Sequence, residues 1–148
     1  MCGVSSMKII LCAAILGSSL SIAHADDIEP GLWKITTRIK NGDGPPGRPM
    51  ESSKCLTAEQ TRDVAKTFSP VANTINSECA PIELSFADHK LSWKLVCKGQ
   101  LDMELTGNFN FDTPRHYSAV VTTKAAMGGM AMANSRNMLE AERVSDCP

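Results

Sequence analysis

Residues 90–111, KLSWKLVCKGQLDMELTGNFNF, decide the fold of this chain. On each side of Gly99 apolar and polar side chains alternate, and residues two apart in a β-strand lie on the same face of the sheet. Such alternation predicts two half-buried strands joined near Gly99. Pairing Leu95 with Leu105 sets Trp93 opposite Gly107, where the indole can cover a residue without a side chain. The stretch therefore predicts an antiparallel hairpin with one buried face.

The same period of two continues on both sides of this hairpin. Upstream, pairing Phe86 with Leu91 sets apolar residues against apolar residues, and a slip of one residue would expose the whole apolar face. Downstream, a strand from Tyr117 leads to Gly128-Gly129, which reads as a two-residue turn. A last strand follows, for which a helix over residues 138–144 is the alternative. Consecutive strands of this kind predict an antiparallel meander.

The N-terminal part adds two strands and one helix. Residues 32–39 alternate, residues 41–49 (NGDGPPGRP) form a turn-rich loop, and residues 50–54 read as a short returning strand. Thr57 and Gln60 have capping-box spacing at the start of a helix over residues 58–68. The predicted fold is mainly β: an antiparallel meander of about seven strands, curved or barrel-like, with one short helix at an opening. Closure is a hypothesis, because sheet edges must be hidden.

Residues 1–25 have the three parts of a secretory signal peptide. Lys8 precedes an apolar run, and Ala23-His24-Ala25 provides a small-x-small cleavage site. Cleavage after Ala25 would leave residues 26–148 as a single disulfide-linked β domain in the periplasm, with no membrane span. Loss of Lys8 lowers the 15 basic residues to 14, against 16 acidic residues. No basic run is present to neutralise a phosphate backbone, so no nucleic-acid partner is predicted.

Four cysteines remain after cleavage, and an even number in a small exported domain predicts two disulfides. A four-thiolate zinc site is the alternative, but its ligands usually come in close pairs, whereas no two of these cysteines are closer than 18 residues. Of the three connectivities we favour Cys79–Cys97 and Cys55–Cys147. The register of the preceding hairpin sets Cys79 opposite Lys98, so the first pair requires a bulge or a strand end near Pro81.

Four short motifs resemble those of one bacterial family. They are Pro30-Gly31-Leu32-Trp33, Cys55-Leu56-Thr57 before a helix, Ser92-Trp93 in a strand that ends at Cys97, and a terminal segment from Arg143 to Cys147. Their order is similar to that of the Domain of Unknown Function 3617 family, over essentially the whole mature chain. Arg143-Val144 stands where members often show two basic residues. The resemblance implies a proteobacterial periplasmic protein with no established activity.

Few residues of the mature chain are typical of catalysis. His89 falls in a predicted turn, His116 begins a strand with Asp112 nearby, and no nucleophile elbow, zinc-protease motif or phosphate loop is present. Asp102 and Glu104 share a strand face with neutral polar residues, which favours a solvated surface over a two-carboxylate site. We predict no catalytic residue and no cofactor, and a hydrolase is the weakest hypothesis.

Two binding hypotheses remain. A curved sheet often holds a small apolar ligand in its mouth, and the possible ligand-facing residues are Trp33, Trp93, Phe109 and Phe111. The leading hypothesis is a non-catalytic periplasmic binding or accessory module, whose partner is an apolar small molecule or a periplasmic protein segment.

The second hypothesis concerns the methionines around the Gly128-Gly129 turn. Thioethers are soft ligands suited to Cu(I), and the candidate ligands are Met127, Met130 and Met132. The alternatives are flexible apolar packing and an adaptable binding surface. Copper handling requires the three sulfur atoms to converge on one ion.

Overall fold

The computed structural model describes residues 27–71 and 77–148, of which 66% lie in strands. The predicted signal peptide, residues 1–25, lies outside the described residues, and the assignment of residues 26–148 to one domain stays a prediction. The described strands are β1 (Gly31–Asn41), β2 (Met50–Leu56), β3 (Ser77–Cys79), β4 (Glu83–Ala87), β5 (Lys90–Gly99), β6 (Leu101–Thr113), β7 (His116–Met127) and β8 (Met130–Ser145). Two short helices, α1 (Ala58–Arg62) and α2 (Val64–Phe68), follow β2. In these two ranges of the chain, no helix has the length and apolar character needed to cross a membrane.

All strand pairs are antiparallel, and the sheet order is β2-β1-β8-β7-β6-β5-β3, with β4 also paired to β5. From β4 to β8 each strand pairs with the next, which confirms the predicted meander. The described sheet has eight strands rather than about seven, and it does not close, so the barrel hypothesis is wrong. Its apolar face is covered instead by α2 and the segment before β1, which bury that face without joining the edges.

The predicted register is confirmed at the centre of the sheet. Trp93 pairs with Gly107, and Leu91 pairs with both Phe86 and Phe109. The Gly128-Gly129 turn has two positive φ angles, 57° and 82°, as a two-residue hairpin turn requires. β8 runs unbroken to Ser145, so the helical alternative over residues 138–144 is wrong.

The single helix predicted over residues 58–68 is two helices, because Asp63 interrupts it with φ −121° and ψ 72°. The Asp63 carboxylate accepts a hydrogen bond from Lys66 N at 3.0 Å, and this contact caps α2. Short acidic side chains that bond nearby backbone N–H groups compete with continuous helix in this way. The capping box before α1 is confirmed, since Thr57 N donates to Gln60 Oε1 at 2.9 Å and Gln60 N donates to Thr57 Oγ1 at 3.3 Å.

Both predicted disulfides are confirmed. The Cα atoms are 5.6 Å apart in Cys55–Cys147 and 3.9 Å apart in Cys79–Cys97. β3 pairs Cys79 with Cys97, whereas β4 is offset by one residue, and the interruption lies around Pro81. Two disulfides exclude the zinc alternative and suggest an oxidising, exported environment.

Candidate functional site

The four aromatic residues predicted to face a ligand lie in the core. Their exposed fractions are 0% for Trp33, 6% for Trp93, 7% for Phe109 and 2% for Phe111. The Phe68 ring of α2 lies 5.3 Å from Phe109 and 5.5 Å from Phe111, between ring centroids. Trp93 Nε1 donates to the Phe68 carbonyl at 2.9 Å. The rings thus pack between the sheet and α2; their role as ligand-facing residues stays a prediction, and this packing does not favour it.

The opposite, polar face of the sheet holds a groove of about 790 Å³ that crosses β1, β8, β7, β6 and β5. Two adjacent rows of directly paired residues line it. One row is Arg38, Met138, Val120, Asn108 and Ser92, and the other is Thr36, Glu140, Ser118, Asn110 and Lys90. A volume of this size suits a small molecule or a short chain segment. We call this surface the polar groove.

Five of the fourteen residues that line the polar groove have neutral polar side chains. Their hydroxyl and amide groups can both donate and accept hydrogen bonds. Within residues 27–71 and 77–148, the side chains of this set make no hydrogen bond to protein: Thr36, Ser92, Asn108, Asn110 and Ser118. Val120 and Met138 pair at the centre of the groove. Its lining also includes these apolar residues: Leu91, Phe109, Ala119 and Leu139. The surface can therefore bind a polar chain that carries an apolar side group.

Two cations stand at opposite ends of the polar groove without a carboxylate partner. Arg38 on β1 and Lys90 on β5 are exposed, and no carboxylate of the described residues lies within 4 Å of either. Three other lysines of the polar face have a carboxylate partner, unlike Lys40 beyond the end of the groove: Lys34 with Glu51 at 2.8 Å, Lys94 with Glu104 at 3.3 Å and Lys98 with Asp102 at 3.1 Å. The groove thus offers unneutralised positive charge at both ends.

Asp102 and Glu104 lie on the polar face as partners of these lysines. The Gly99 N–H and the Lys98 ammonium hold the pKa of Asp102 below its usual value. The Lys94 ammonium does the same for the pKa of Glu104. These contacts favour the interpretation of this face as a solvated surface over a two-carboxylate site.

His116 lies beside the polar groove with a carboxylate at each ring nitrogen. Its Nδ1 is 2.7 Å from Asp112 Oδ1, and its Nε2 is 3.3 Å from Glu140 Oε2. The hydrogen bond to Asp112 is the main cause that raises the pKa of His116, and the charges of Glu140 and Glu142 add to it. The same hydrogen bond lowers the pKa of Asp112. The cluster joins β6, β7 and β8 by ion pairs.

We expect the contribution of His116 to stability to depend on pH. Because its folded pKa is raised, the stabilisation is complete below the unfolded pKa of about 6.5 and is lost as pH rises through the folded pKa. Because the pKa of Asp112 is lowered, its contribution is lost as pH falls below about 4. His116→Gln should therefore cost about 0.5 kcal/mol near pH 5.5, as for a partly exposed ion pair, and almost nothing at pH 9. Urea unfolding at both pH values checks this, and an equal cost at both would contradict it.

The three methionines lie together at the tip of the β7–β8 hairpin and are not core residues. Their exposed fractions are 48% for Met127, 71% for Met130 and 61% for Met132. Met127 pairs directly with Met130 across the turn. Such exposure argues against the packing alternative.

The family motifs near the chain ends meet in the structure. Arg143 Nε donates to the Pro30 carbonyl at 2.7 Å, and a Cβ added to Gly31 would lie 2.5 Å from Arg143 Nε. The Arg143 guanidinium therefore occupies space that a side chain at position 31 would fill. The Cys55–Cys147 bridge fixes the same end of the sheet.

The model of the family described as "Protein of unknown function (DUF3617)" matches residues 28–147. The chain belongs to this family. Comparisons with curated proteins and with solved structures give no significant match. In this DUF3617 member the two terminal motifs join β1 to β8, and their residues do not line the polar groove.

The groove residues were not singled out from the sequence as a site. Asn108 and Asn110 are among the neutral polar residues that share a strand face with Asp102 and Glu104, and Arg38 and Lys90 are 52 positions apart. The one signal in the sequence was the parity of the strands, which places alternate polar residues on a common face. The strand order that brings β1 next to β8 had to be known before Arg38 could be placed beside Met138.

Proposed function

We propose that this DUF3617 member is a non-catalytic binding module whose polar groove holds an extended, acidic segment of another exported protein. The observation that carries the proposal is the pair of unneutralised cations, Arg38 and Lys90, at opposite ends of two adjacent rows that hold unpaired hydroxyl and amide groups. A carboxylate that contacts either cation forms a charge-assisted hydrogen bond, which is stronger than a neutral one.

The dimensions of the polar groove suit a short extended segment. Arg38 and Lys90 are separated by four strand-to-strand steps, or about 19 Å along the sheet at about 4.8 Å a step. An extended chain covers that length with about six residues. Carboxylates near both ends of such a segment would meet the two cations, and an apolar side chain between them would meet Val120 and Met138.

A polypeptide fits the neutral groups of the groove better than a purely apolar molecule does. Peptide N–H and C=O groups need partners when they leave water, and Asn108, Asn110 and Ser118 have donors and acceptors to offer. An apolar small molecule would leave these side chains without partners. The aromatic rings that would have held such a molecule on the other face pack against one another and against Phe68.

The histidine beside the groove supports a non-catalytic function. A general base must have a nitrogen free to accept a proton from the nucleophile or water. Both ring nitrogens of His116 are occupied by carboxylates, at 2.7 Å and 3.3 Å. The cluster is therefore best assigned to joining three strands at the groove wall.

The test is peptide binding by fluorescence anisotropy with protein produced from the full-length sequence. The probe is a labelled peptide EEELLEEE, compared with QQQLLQQQ. We expect Arg38→Gln/Lys90→Gln to weaken binding of the acidic peptide about tenfold, which corresponds to two partly exposed charge contacts. The matched control is Lys54→Gln/Lys66→Gln, which removes the same charge outside the groove. The control should bind like the unchanged protein.

Each outcome decides the proposal. Preferential binding of EEELLEEE that is lost only in the groove variant supports it. Equal loss in both variants would assign binding to net charge and contradict it, and so would equal binding of QQQLLQQQ. Binding of oligogalacturonate, with no binding of either peptide, would indicate that the groove binds an anionic polysaccharide. That result would overturn the assignment to a protein segment.

A further inference from the structure

The tip of the β7–β8 hairpin is an uncharged segment, residues 125–133, with the sequence AAMGGMAMA. All three of its methionines are exposed by about half or more. The nearest charged residue before it, Lys124, has its ammonium 3.7 Å from Glu104. The strongest potential ligand atoms at this tip are therefore three thioether sulfurs in contact with solvent.

The backbone of the hairpin sets these side chains close together. Met127 and Met130 are the last directly paired residues before the turn, and Cβ atoms of such pairs lie about 4.5–5.5 Å apart. Ala126 pairs with Ala131 and Ala125 with Ala133, so Met132 is the additional residue of a β-bulge. Bulges redirect a side chain relative to the regular strand. Met130 and Met132 lie two residues apart on β8, and Met127 lies on the neighbouring strand β7.

Three thioether groups favour binding of a soft metal ion. Soft sulfur ligands favour Cu(I), whereas carboxylates and carbonyl groups suit harder cations. We propose that Met127, Met130 and Met132 bind one Cu(I) ion at the hairpin tip through their three sulfur atoms. Methionine has three rotatable side-chain bonds, which give the three sulfur atoms freedom to approach one ion.

This site is separate from the polar groove. Val120 lies in the groove and Met127 lies seven residues further along β7, about 23 Å at 3.3 Å a residue. Copper binding therefore does not depend on the proposed peptide function. Failure of either proposal leaves the other in place.

The experiment is a Cu(I) titration of the full-length protein in competition with bicinchoninate, under argon with ascorbate, which leaves disulfides intact. We expect one Cu(I) per chain. Replacement of all three methionines by leucine (M127L/M130L/M132L) keeps the apolar volume and should abolish binding. The matched control is Met50→Leu, which removes a methionine of comparable exposure (53%) from β2 and should leave binding unchanged.

X-ray absorption at the copper edge identifies the ligands. Three sulfur neighbours, lost with the triple variant, are the expected result. No binding by the unchanged protein, retained binding by the triple leucine variant, or nitrogen and oxygen neighbours in place of sulfur would each overturn the proposal. Far-ultraviolet circular dichroism of the triple variant verifies that the sheet is intact.

Discussion

Replacement of Gly107 by alanine is expected to lower the free energy of unfolding by about 3 kcal/mol, at the upper end for overpacked cores. A Cβ at this position would lie 2.2 Å from Trp93 Cε2 and 2.4 Å from Cζ2. The indole cannot move aside easily, because it is 6% exposed and its Nε1 donates to the Phe68 carbonyl. The Trp93 indole therefore occupies the space that Gly107, which has no side chain, leaves open on the neighbouring strand. Urea unfolding followed by tryptophan fluorescence measures the loss.

A double-mutant cycle isolates the cause of this loss. Trp93→Leu alone should be costly, since truncation of a buried aromatic removes about 3 kcal/mol or more. In the Trp93→Leu background, however, Gly107→Ala should cost less than about 1 kcal/mol, because the clash is gone. Gly44→Ala in the exposed loop is the control and should have a small effect. A cost for Gly107→Ala that is the same in both backgrounds would refute the steric explanation.

Removal of the Cys55–Cys147 disulfide is expected to have the largest effect of all. The bridge spans 92 residues of sequence, and a loop of this length is expected to contribute about 4–5 kcal/mol through restriction of the unfolded chain. A domain of this size has only about 5–15 kcal/mol of total stability. Cys55→Ala/Cys147→Ala should therefore be close to unfolded at 37 °C. Denaturant unfolding at 15 °C, where the folded state is still populated, measures the difference.

The unfolded-chain explanation has a second consequence that can be measured. Without the bridge the unfolded chain expands, so the denaturant m-value should rise. Cys79→Ala/Cys97→Ala is the comparison, because that bridge spans 18 residues and should change the m-value less. An unchanged m-value with a large loss of stability would instead assign the effect to contacts in the folded state.

Much of this architecture could be predicted because it depends on local rules. Alternation placed Leu91, Trp93 and Phe109 on one face, and the glycine opposite Trp93 set the register. The two disulfides followed from cysteine number and spacing. The alternation and the register depend only on neighbouring strands, whereas the Cys55–Cys147 bridge joins residues 92 positions apart.

The errors arose from one local hydrogen bond and from the packing of distant parts of the chain. The helix break at Asp63 depends on a single side-chain hydrogen bond to Lys66 N, which competes with the helical period. The expected closure places the helix at an opening of the sheet, whereas α2 lies against the apolar face, where Phe68 contacts Phe109 and Tyr117. The ligand-facing role of Trp33, Trp93, Phe109 and Phe111 stays a prediction, because aromatic residues on a curved sheet suit both a core and a cavity.

The polar groove could not have been assembled from the sequence, for the same reason. Its two rows take residues from five strands, and Arg38 and Lys90 come from opposite ends of that set. Whether a lysine is neutralised depends on which carboxylate lies across from it. Lys94 forms an ion pair with Glu104. Lys90 is paired across the strands with Asn110, which is neutral.

The most direct test of the central claim, that the polar groove binds an acidic segment, is an amide NMR titration of the ¹⁵N-labelled protein with EEELLEEE. The account predicts that shifted resonances cluster on the two paired rows from Arg38 to Lys90, and that the shifts vanish in Arg38→Gln/Lys90→Gln. Shifts confined to the β2 edge or to the apolar face around Phe86, or no shifts at millimolar peptide, would contradict it.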